Sequence, residues 1–391
     1  MSGDNRGPLF SVIVPTFDRQ HHISRCLESI VGQARTDTQV LVVDNASTDQ
    51  TVEIALGFNK VLDIEVLVNE RNRERSYSRN RGAMQARGQF LVFLDSDDEL
   101  TPGALDRAKR FATENPDCQF FFQLMRIVNE SRVTVYEPVI RSRHEIRRTL
   151  AEGNPLSCSG VYIKRSLFLR HKFDEHPDLI GSEDWHCWLR VAAEHEPSLC
   201  PSDGALIFDH GSRTMASNPW QQAGRRFAHL TADLMAPPST PDYLAPFLNL
   251  FRGSQAHYVA VKAADQSALS HSITLFARAI RHYPALLATR RTLYLWRLWL
   301  RSILNRSQGT GSYQIADSGV TTPARGNCLN PIGLQGAPGR GEYPLIARSH
   351  HVGMPSFDPA RLVGASAPLP TWCHHHQSDQ DSSVRARNIL H

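Results

Sequence analysis

Apolar residues between positions 9 and 94 fall into short unbroken runs, Phe10 to Val14, Gln39 to Val43, Ile64 to Val68 and Phe90 to Leu94, whose starts lie 29, 25 and 26 residues apart. The intervening segments, such as ISRCLESIVGQ and TVEIALGFNKVL, repeat their apolar positions at helical spacing. Strand and helix alternating at this interval is the rhythm of βαβ units. Runs that are continuous rather than alternating predict a mostly parallel α/β sheet flanked by helices on both faces, with ligands at the carboxyl ends of its strands. Residues 118–215 add strand-like stretches (CQFFFQLMRIV, RVTVYEPVI, SGVYIK) and a helix starting near Ser182, and they read as a continuation of the same domain. From Trp220 to Asn305 the spacing is helical with few β-branched runs, which predicts a separate helical extension. From Ser307 onward Gly, Pro and Ser supply 27 of 85 residues without periodicity, so that tail is predicted to be disordered. The organisation expected is an N-terminal extension (1–8), an α/β domain (9–215), a basic helical extension (216–306) and the tail (307–391).

Composition narrows the class. A chain of 391 residues exceeds one domain of ~100–200 residues. Hydrophobic residues at 41% and charged residues at 21% are those of an ordinary globular protein. No apolar run approaches the ~18–20 residues of a membrane span, and MSGDNRGPLF lacks the apolar core of a secretory signal. The seven cysteines (Cys26, Cys118, Cys158, Cys187, Cys200, Cys328, Cys373) are odd in number, scattered and without a C-x-x-C pair, which speaks against a disulfide framework or a thiolate zinc site and for a cytoplasmic location. The net charge of +4 is local: residues 266–306 hold seven Arg and no acid, so the remainder is net acidic.

Three of the four strand ends run into acids. Asp95, Ser96, Asp97 and Asp98 follow the fourth run, and three carboxylates converging there need a cation to neutralise them. Oxygen ligands suit Mg²⁺ or Mn²⁺, and the competing reading is an acidic cap on the next helix with Thr101 as N-cap and Pro102 at N1. Asp44 ends the second run too early to cap a helix, which leaves it for a ligand base or ribose. Ser47 and Gln50 match a capping box, and Asp49 then serves the helix dipole. Arg71, Arg73, Arg75, Arg79 and Arg81 form either a solvated face or a neutralising cluster for a diphosphate. Glu183 and Asp184, beside Ser182 and Trp185, are first-turn acids that either stabilise the dipole or supply a general base.

Taken in order, SVIVPTFDR, VVDNASTD, SRNRG, FLDSDDEL, the Ser159-Gly160 pair before VYIKRS, FDE at 173–175 and SEDWHCWLR resemble glycosyltransferase family 2, inverting nucleotide-sugar-dependent transferases of the GT-A fold, over residues 9–215. The resemblance implies a GT-A-type Rossmann-like sheet and transfer of a sugar, in the manner of a hexosyltransferase, from a nucleoside diphosphate-sugar to an acceptor hydroxyl. It implies that Pro15, Thr16, Asp44, Arg79, Asn80, Asp95, Ser96 and Asp97 bind the nucleotide-sugar, and that Ser159, Gly160, Glu183 and Trp185 face the acceptor. Asp97, Asp98 and His210 are implied as ligands of Mn²⁺ or Mg²⁺, and Asp184 as catalytic base. The match at His210 is looser, because Phe208 and Asp209 stand where the family usually has Tyr and Arg. UDP-sugars are the family's commonest donors, and a surface glycan or lipid-linked saccharide is the implied acceptor.

In RRTLYLWRLWLRSILNR, Arg290, Arg297 and Arg301 share one side of a helix, amid Leu, Trp and Ile and without acids. Residues 285–306 therefore suit either an anionic membrane surface, making the protein peripheral on the inner face of the membrane, or packing against protein with the arginines in water. No nucleic-acid module accompanies the charge. P-loop, G-x-G-x-x-G and H-E-x-x-H motifs are missing from the sequence, and His374, His375 and His376 have no neighbours that would complete a metal site. A sugar-phosphate nucleotidyltransferase would need a Gly-rich basic loop where PTFDRQHH stands. A non-catalytic nucleotide-sugar or glycan-binding subunit is the competing reading of another class, which the acids at Asp44, Asp95, Asp97, Asp98 and Asp184 oppose.

Overall fold

The structure is a computed structural model that describes residues 7–33, 37–138, 140, 146–209, 218–236 and 241–308. Its centre is a nine-stranded sheet. Strands β1 (Phe10–Thr16), β2 (Thr38–Asp44), β3 (Ile64–Val68) and β4 (Phe90–Phe93) are parallel, as the spacing predicts, and lie in the order β3-β2-β1-β4. Beyond β4 the sheet turns mixed. Strand β8 (Val161–Lys164) runs antiparallel to β4 and to β6 (Phe120–Val128), and β9 (Ser198–Phe208) lies parallel to β6. Two short strands, β5 (Glu99–Leu100) on β9 and β7 (Thr134–Tyr136) on β6, complete it.

The continuous apolar runs are explained by burial on both faces. All seven residues of β1 and all seven of β2 are buried, whereas β3, at the edge, is only partly so. Side chains alternate between two cores. Val12, Val14, Val40 and Val42 face α1 (Ile23–Val31) and α4 (Ala104–Glu114), while Ile13, Leu41 and Val43 face α3 (Glu74–Gln85) and α7 (Glu183–Glu194). Helix α3 lies tight on the sheet at Gly82, where a Cβ would come within 2.6 Å of Ile13 Cγ2. Between β2 and β3 the chain forms the short helix α2 (Thr51–Leu56), continued by a 3-10 turn (Gly57–Lys60).

Two helix starts differ from the pattern read in the sequence. Helix α2 begins at Thr51, and its first turn is held by Asp49, whose carboxylate accepts from Thr51 N–H and Oγ1 and from Gln20 N–H. Ser47 is drawn to Asp44 instead, its N–H and Oγ both donating to that carboxylate. Likewise α4 starts at Ala104 after a left-handed Gly103, because Glu99 and Leu100 are held as β5 and Thr101 Oγ1 donates to Asp203 O.

Helices α5 (Ile146–Glu152) and α6 (Arg165–His171) cover the face shared with α7. The later helices are α8 (Trp220–Met235), α9 (Leu248–Asp265), α10 (Leu269–His282) and α11 (Arg290–Gln308). Leu230 and Leu234 of α8 and Leu250 and Phe251 of α9 enter the same core as Trp185 and Leu189. Ala260, Phe276 and Leu295 make a smaller core among α9, α10 and α11, and Trp299 Nε1 donates to Ser272 Oγ at 2.8 Å. Among the described residues, no helix is long and apolar enough to cross a membrane, and the five described cysteines are free thiols.

Candidate active site

Strands β1, β2 and β4 end on the same side of the sheet, and a cleft of about 420 Å³ opens there. Its walls come from Pro15, Thr16, Phe17 and Arg19 after β1, Asn45 after β2, Asn72, Glu74, Arg75 and Ser78 around the start of α3, Asp95 to Asp98 after β4, Ile180 and Gly181 before α7, and Phe208 at the end of β9. Thr16 Oγ1 is buried at this wall with no protein hydrogen-bond partner.

The acidic loop forms the floor. Asp95, Asp97 and Asp98 each bring a carboxylate oxygen within 4.8 Å of the others. Asp98 is nearly buried, its Oδ2 accepting from Ser159 Oγ at 2.8 Å and its Oδ1 from Phe208 N–H at 3.3 Å. Asp97 points outward, 3.7 Å from Arg19, and Asp95 is bonded to Arg79. Arg25 supports the loop from behind, donating to Asp97 O at 2.8 Å with its guanidinium 3.6 Å above the Phe208 ring. The residues present fit a small divalent cation: three carboxylate oxygens within 4.8 Å of one another and an open side toward the cleft.

A buried ion-pair chain links this loop to α7. Arg79 of α3 is 1% exposed, and it bonds Asp95 with one nitrogen and Glu183 Oε1, at 2.9 Å, with another. Burial alone would raise the Glu183 pKa, but Arg79 and then Arg75 outweigh it and hold the carboxyl below its ordinary value. The neighbouring Asp184 is pushed the other way, up to about 6, by burial and then by the negative charge of Glu183. It accepts hydrogen bonds from Trp185 N–H at 2.7 Å and from Asn154 Nδ2 at 2.8 Å. Gly181, at φ +84°, makes the turn into this helix, and its N–H donates to Glu183 Oε2 at 2.6 Å.

The other residues singled out in the sequence lie as follows. Pro15, Thr16, Asp95, Ser96, Asp97 and Asp98 line the cleft. Asp44 is fully buried at the end of β2, its carboxylate turned onto Ser47, and the adjacent wall is Asn45. Asn80 is occupied in clamping the Phe173 backbone and Glu175, so α3 meets the cleft through Glu74, Arg75 and Ser78. Ser159 and Gly160 are buried beneath the acidic loop, with a Cβ at Gly160 lying 3.0 Å from Gln123 O. Trp185 packs against Phe227 and Phe251 with its indole N–H donating to Leu150 O at 2.8 Å, so the cleft wall near it is Ile180 and Gly181. His210 lies outside the described residues.

Sequence reading passed over the asparagine brace of the cleft. Asn45 Oδ1 accepts from Asn69 Nδ2 and from Arg73 N–H, while its Nδ2 donates to Asn72 Oδ1. The only advance signal was the position of Asn69 directly after an apolar run and of Asn45 one residue beyond another, where loops carry function.

Residues 11–172 match the family model of glycosyl transferase family 2. The chain is 32% identical over 221 residues to a putative teichuronic acid biosynthesis glycosyltransferase, TuaG of Bacillus subtilis, covering 56% of this chain and 86% of that one. It is 25% identical over 190 residues to the Escherichia coli UDP-Glc:alpha-D-GlcNAc-diphosphoundecaprenol beta-1,3-glucosyltransferase WfgD, 49% of this chain and 72% of that one. Against an uncharacterized glycosyltransferase of Haemophilus influenzae, 28% identical, it spans 49% of its own length and 64% of the relative's. Residues 1–349 of TarS from Staphylococcus aureus share the fold, with a TM-score of 0.54 at 20% identity over 79% of this chain and 94% of that one. A mixed sheet whose parallel strands β1, β2 and β4 end at one acid-floored cleft is thus the GT-A arrangement, and the chain belongs to glycosyltransferase family 2.

Proposed function

We propose that the protein transfers a sugar from a UDP-sugar to a hydroxyl of a lipid-linked saccharide or surface glycan, with inversion at the anomeric carbon. The observation that carries this reading is Asp184. It is a carboxylate raised to about 6, held at the head of α7 and joined through Glu183 and Arg79 to the acidic floor of the cleft. A general base works best with a pKa near the working pH. Relatives named for a UDP-glucose donor with a diphosphoundecaprenol-linked acceptor, and for teichuronic acid synthesis, support the donor and acceptor classes.

In this reading the nucleoside enters along Pro15 and Thr16, where the unpaired Thr16 hydroxyl gains a partner, and Asn45 edges its base or ribose with Asp44 buried behind it. Arg19 and Arg75 at the wall add positive charge for the diphosphate, and Arg79 and Asn80 fix the architecture behind it. Asp97 and Asp98, with Asp95, would hold Mn²⁺ or Mg²⁺; when bound, the ion neutralises charge developing on the departing diphosphate. Asp184 takes the acceptor proton as the hydroxyl oxygen attacks the anomeric carbon, and the carbon–oxygen bond to the diphosphate breaks on the opposite face. Ile180 and Gly181, which line the cleft just before α7, bound the acceptor's path in this reading.

The same reading places the protein peripherally on the inner face of the membrane through α11. On its outer side Leu293, Trp296, Leu300 and Leu304 are 45–58% exposed, with Arg297 and Arg301 beside them.

The deciding experiment is thermal stability with UDP, GDP, dTDP and CDP, each with and without Mn²⁺. A ligand at ~100 times its Kd adds about 2.7 kcal/mol, which is visible as a raised midpoint. A metal-dependent rise with UDP is expected, and folded protein that responds to none of the four would point to a non-catalytic subunit.

A further inference from the structure

A second group of metal-ligating side chains stands apart from the acidic floor. His176 and Asp178 belong to the loop between α6 and α7, Asp178 within a single 3-10 turn (Pro177–Leu179), and His229 projects from α8. One ligand atom from each of the three falls within 4.8 Å of the others. The two imidazoles stack with centroids 3.9 Å apart and planes 17° from parallel. A further carboxylate closes the group, with Asp174 Oδ2 3.6 Å from His229 Nε2.

This donor set differs in kind from the cleft. Two imidazole nitrogens with carboxylate oxygen suit Zn²⁺ and its transition-metal neighbours, whereas Mg²⁺ favours oxygen alone. We infer that His176, Asp178 and His229 form a Zn²⁺-class site that pins α8 to the loop preceding α7. Asp174 on the Nε2 side of His229 leaves Nδ1 for the ion, the carboxylate–histidine–metal order that orients ligating imidazoles. On binding, His176 gives up one hydrogen bond, from Asp178 N–H to its Nδ1 at 3.2 Å, and turns out of the stack so that the two lone pairs converge. His176 is exposed and can make that turn. Ile180 and Gly181 follow directly in the chain, so the ion would fix a loop that walls the cleft.

The competing account is that the cluster is held by charge alone, with Arg225 Nε 3.7 Å from Asp178 Oδ1. The two separate in a metal titration of the untagged full chain after chelation and removal of chelator, using Co²⁺ followed by absorption and Zn²⁺ followed by calorimetry. Other histidines, His374 to His376 among them, can hold stray metal, so the readout is the difference from wild type. Expected is one equivalent with the intense visible bands of tetrahedral Co²⁺, lost in both His176→Ala and His229→Ala and kept in Asp97→Asn. Zn²⁺ affinity at that equivalent should fall more than ~10-fold, the least that loss of even a second-shell partner costs. Should His229→Ala fail to match the metal-free thermal midpoint of wild type, the exposed His176→Ala decides alone. Unchanged stoichiometry and spectrum in the folded histidine variants would overturn the site, as would a loss confined to Asp97→Asn.

Discussion

Arg79 and Glu183 lie 104 residues apart in the chain, and their side chains, 1% and 4% exposed, meet at 2.9 Å. Because Arg79 also bonds Asp95, one guanidinium joins the acidic loop after β4 to the head of α7. A planar fork of donors can serve two carboxylates at once, which a lysine ammonium does with less geometric control. Removing it leaves Glu183 buried without its main countercharge. Arg79→Met is therefore expected to cost about 3–5 kcal/mol, as for a broken buried ion pair. Urea unfolding checks this, with Arg79→Lys falling between Met and wild type.

Asp184 ties activity to pH. Its carboxyl, raised to about 6, is protonated below that pH and cannot accept the acceptor's proton, so transfer should decline as pH falls through 6. Asp184→Asn should lower transfer by ~10²–10⁴-fold, the usual contribution of a general base. Stability runs the other way. The folded state holds this proton more tightly than the unfolded state, whose Asp has a pKa of ~3.9, so this residue's contribution to stability is lost as pH rises from about 4 to about 6. Asp184→Asn should thus be more heat-stable than wild type at pH 8, with the advantage vanishing near pH 4. Paired melting curves and transfer assays test both halves, and near-normal transfer by Asp184→Asn would remove the base assignment.

The limits of sequence reading follow from the same residues. Strands β1, β2 and β4 were legible because both their faces are buried, which erases polar alternation and leaves bare apolar runs. The acidic loop was legible because its three carboxylates sit next to one another in sequence. Arg79 and Asn80 were legible as important but not in direction: nothing local says that Arg79 turns inward to Glu183, or that Asn80 clamps Phe173 and Glu175 from 93 and 95 residues away. Such partners are created by topology. The start of α2 differed for a local reason, since Asp44 competes for Ser47 and Asp49 takes over the first turn.

Asp97 and Asp98 should separate metal binding from folding. Asp98 is nearly buried and accepts from both Ser159 and Phe208 N–H, so Asp98→Asn, which sets an amide donor against one of those donors, is expected to cost about 1–3 kcal/mol. Asp97 faces the cleft with a long pair to Arg19, and Asp97→Asn should cost less than ~1 kcal/mol. Both should weaken the Mn²⁺-dependent part of the UDP thermal shift. EDTA should abolish that part in wild type and change little in Asp97→Asn; equal responses would remove Asp97 from the metal site.

Helix α11 offers the last test, because its two sides do different work. Leu295 is buried in the small core and Trp299 donates to Ser272, so these hold the helix in place. Leu293, Trp296 and Leu300 recur at helical spacing on the outer side and are each 45–58% exposed, with Arg297 and Arg301 alongside. If that stripe enters the interface of an anionic bilayer, Trp296→Glu and Leu300→Glu should sharply reduce flotation with phosphatidylglycerol vesicles and leave the melting temperature within a degree or two, since exposed positions rarely matter to stability. Arg297→Glu with Arg301→Glu should lose binding mainly at low salt, where each basic residue near the surface adds about 1 kcal/mol. Deleting residues 285–306 gives the upper limit of the effect. Vesicle binding unchanged in the folded point variants would assign the outer side of α11 to contact with protein instead.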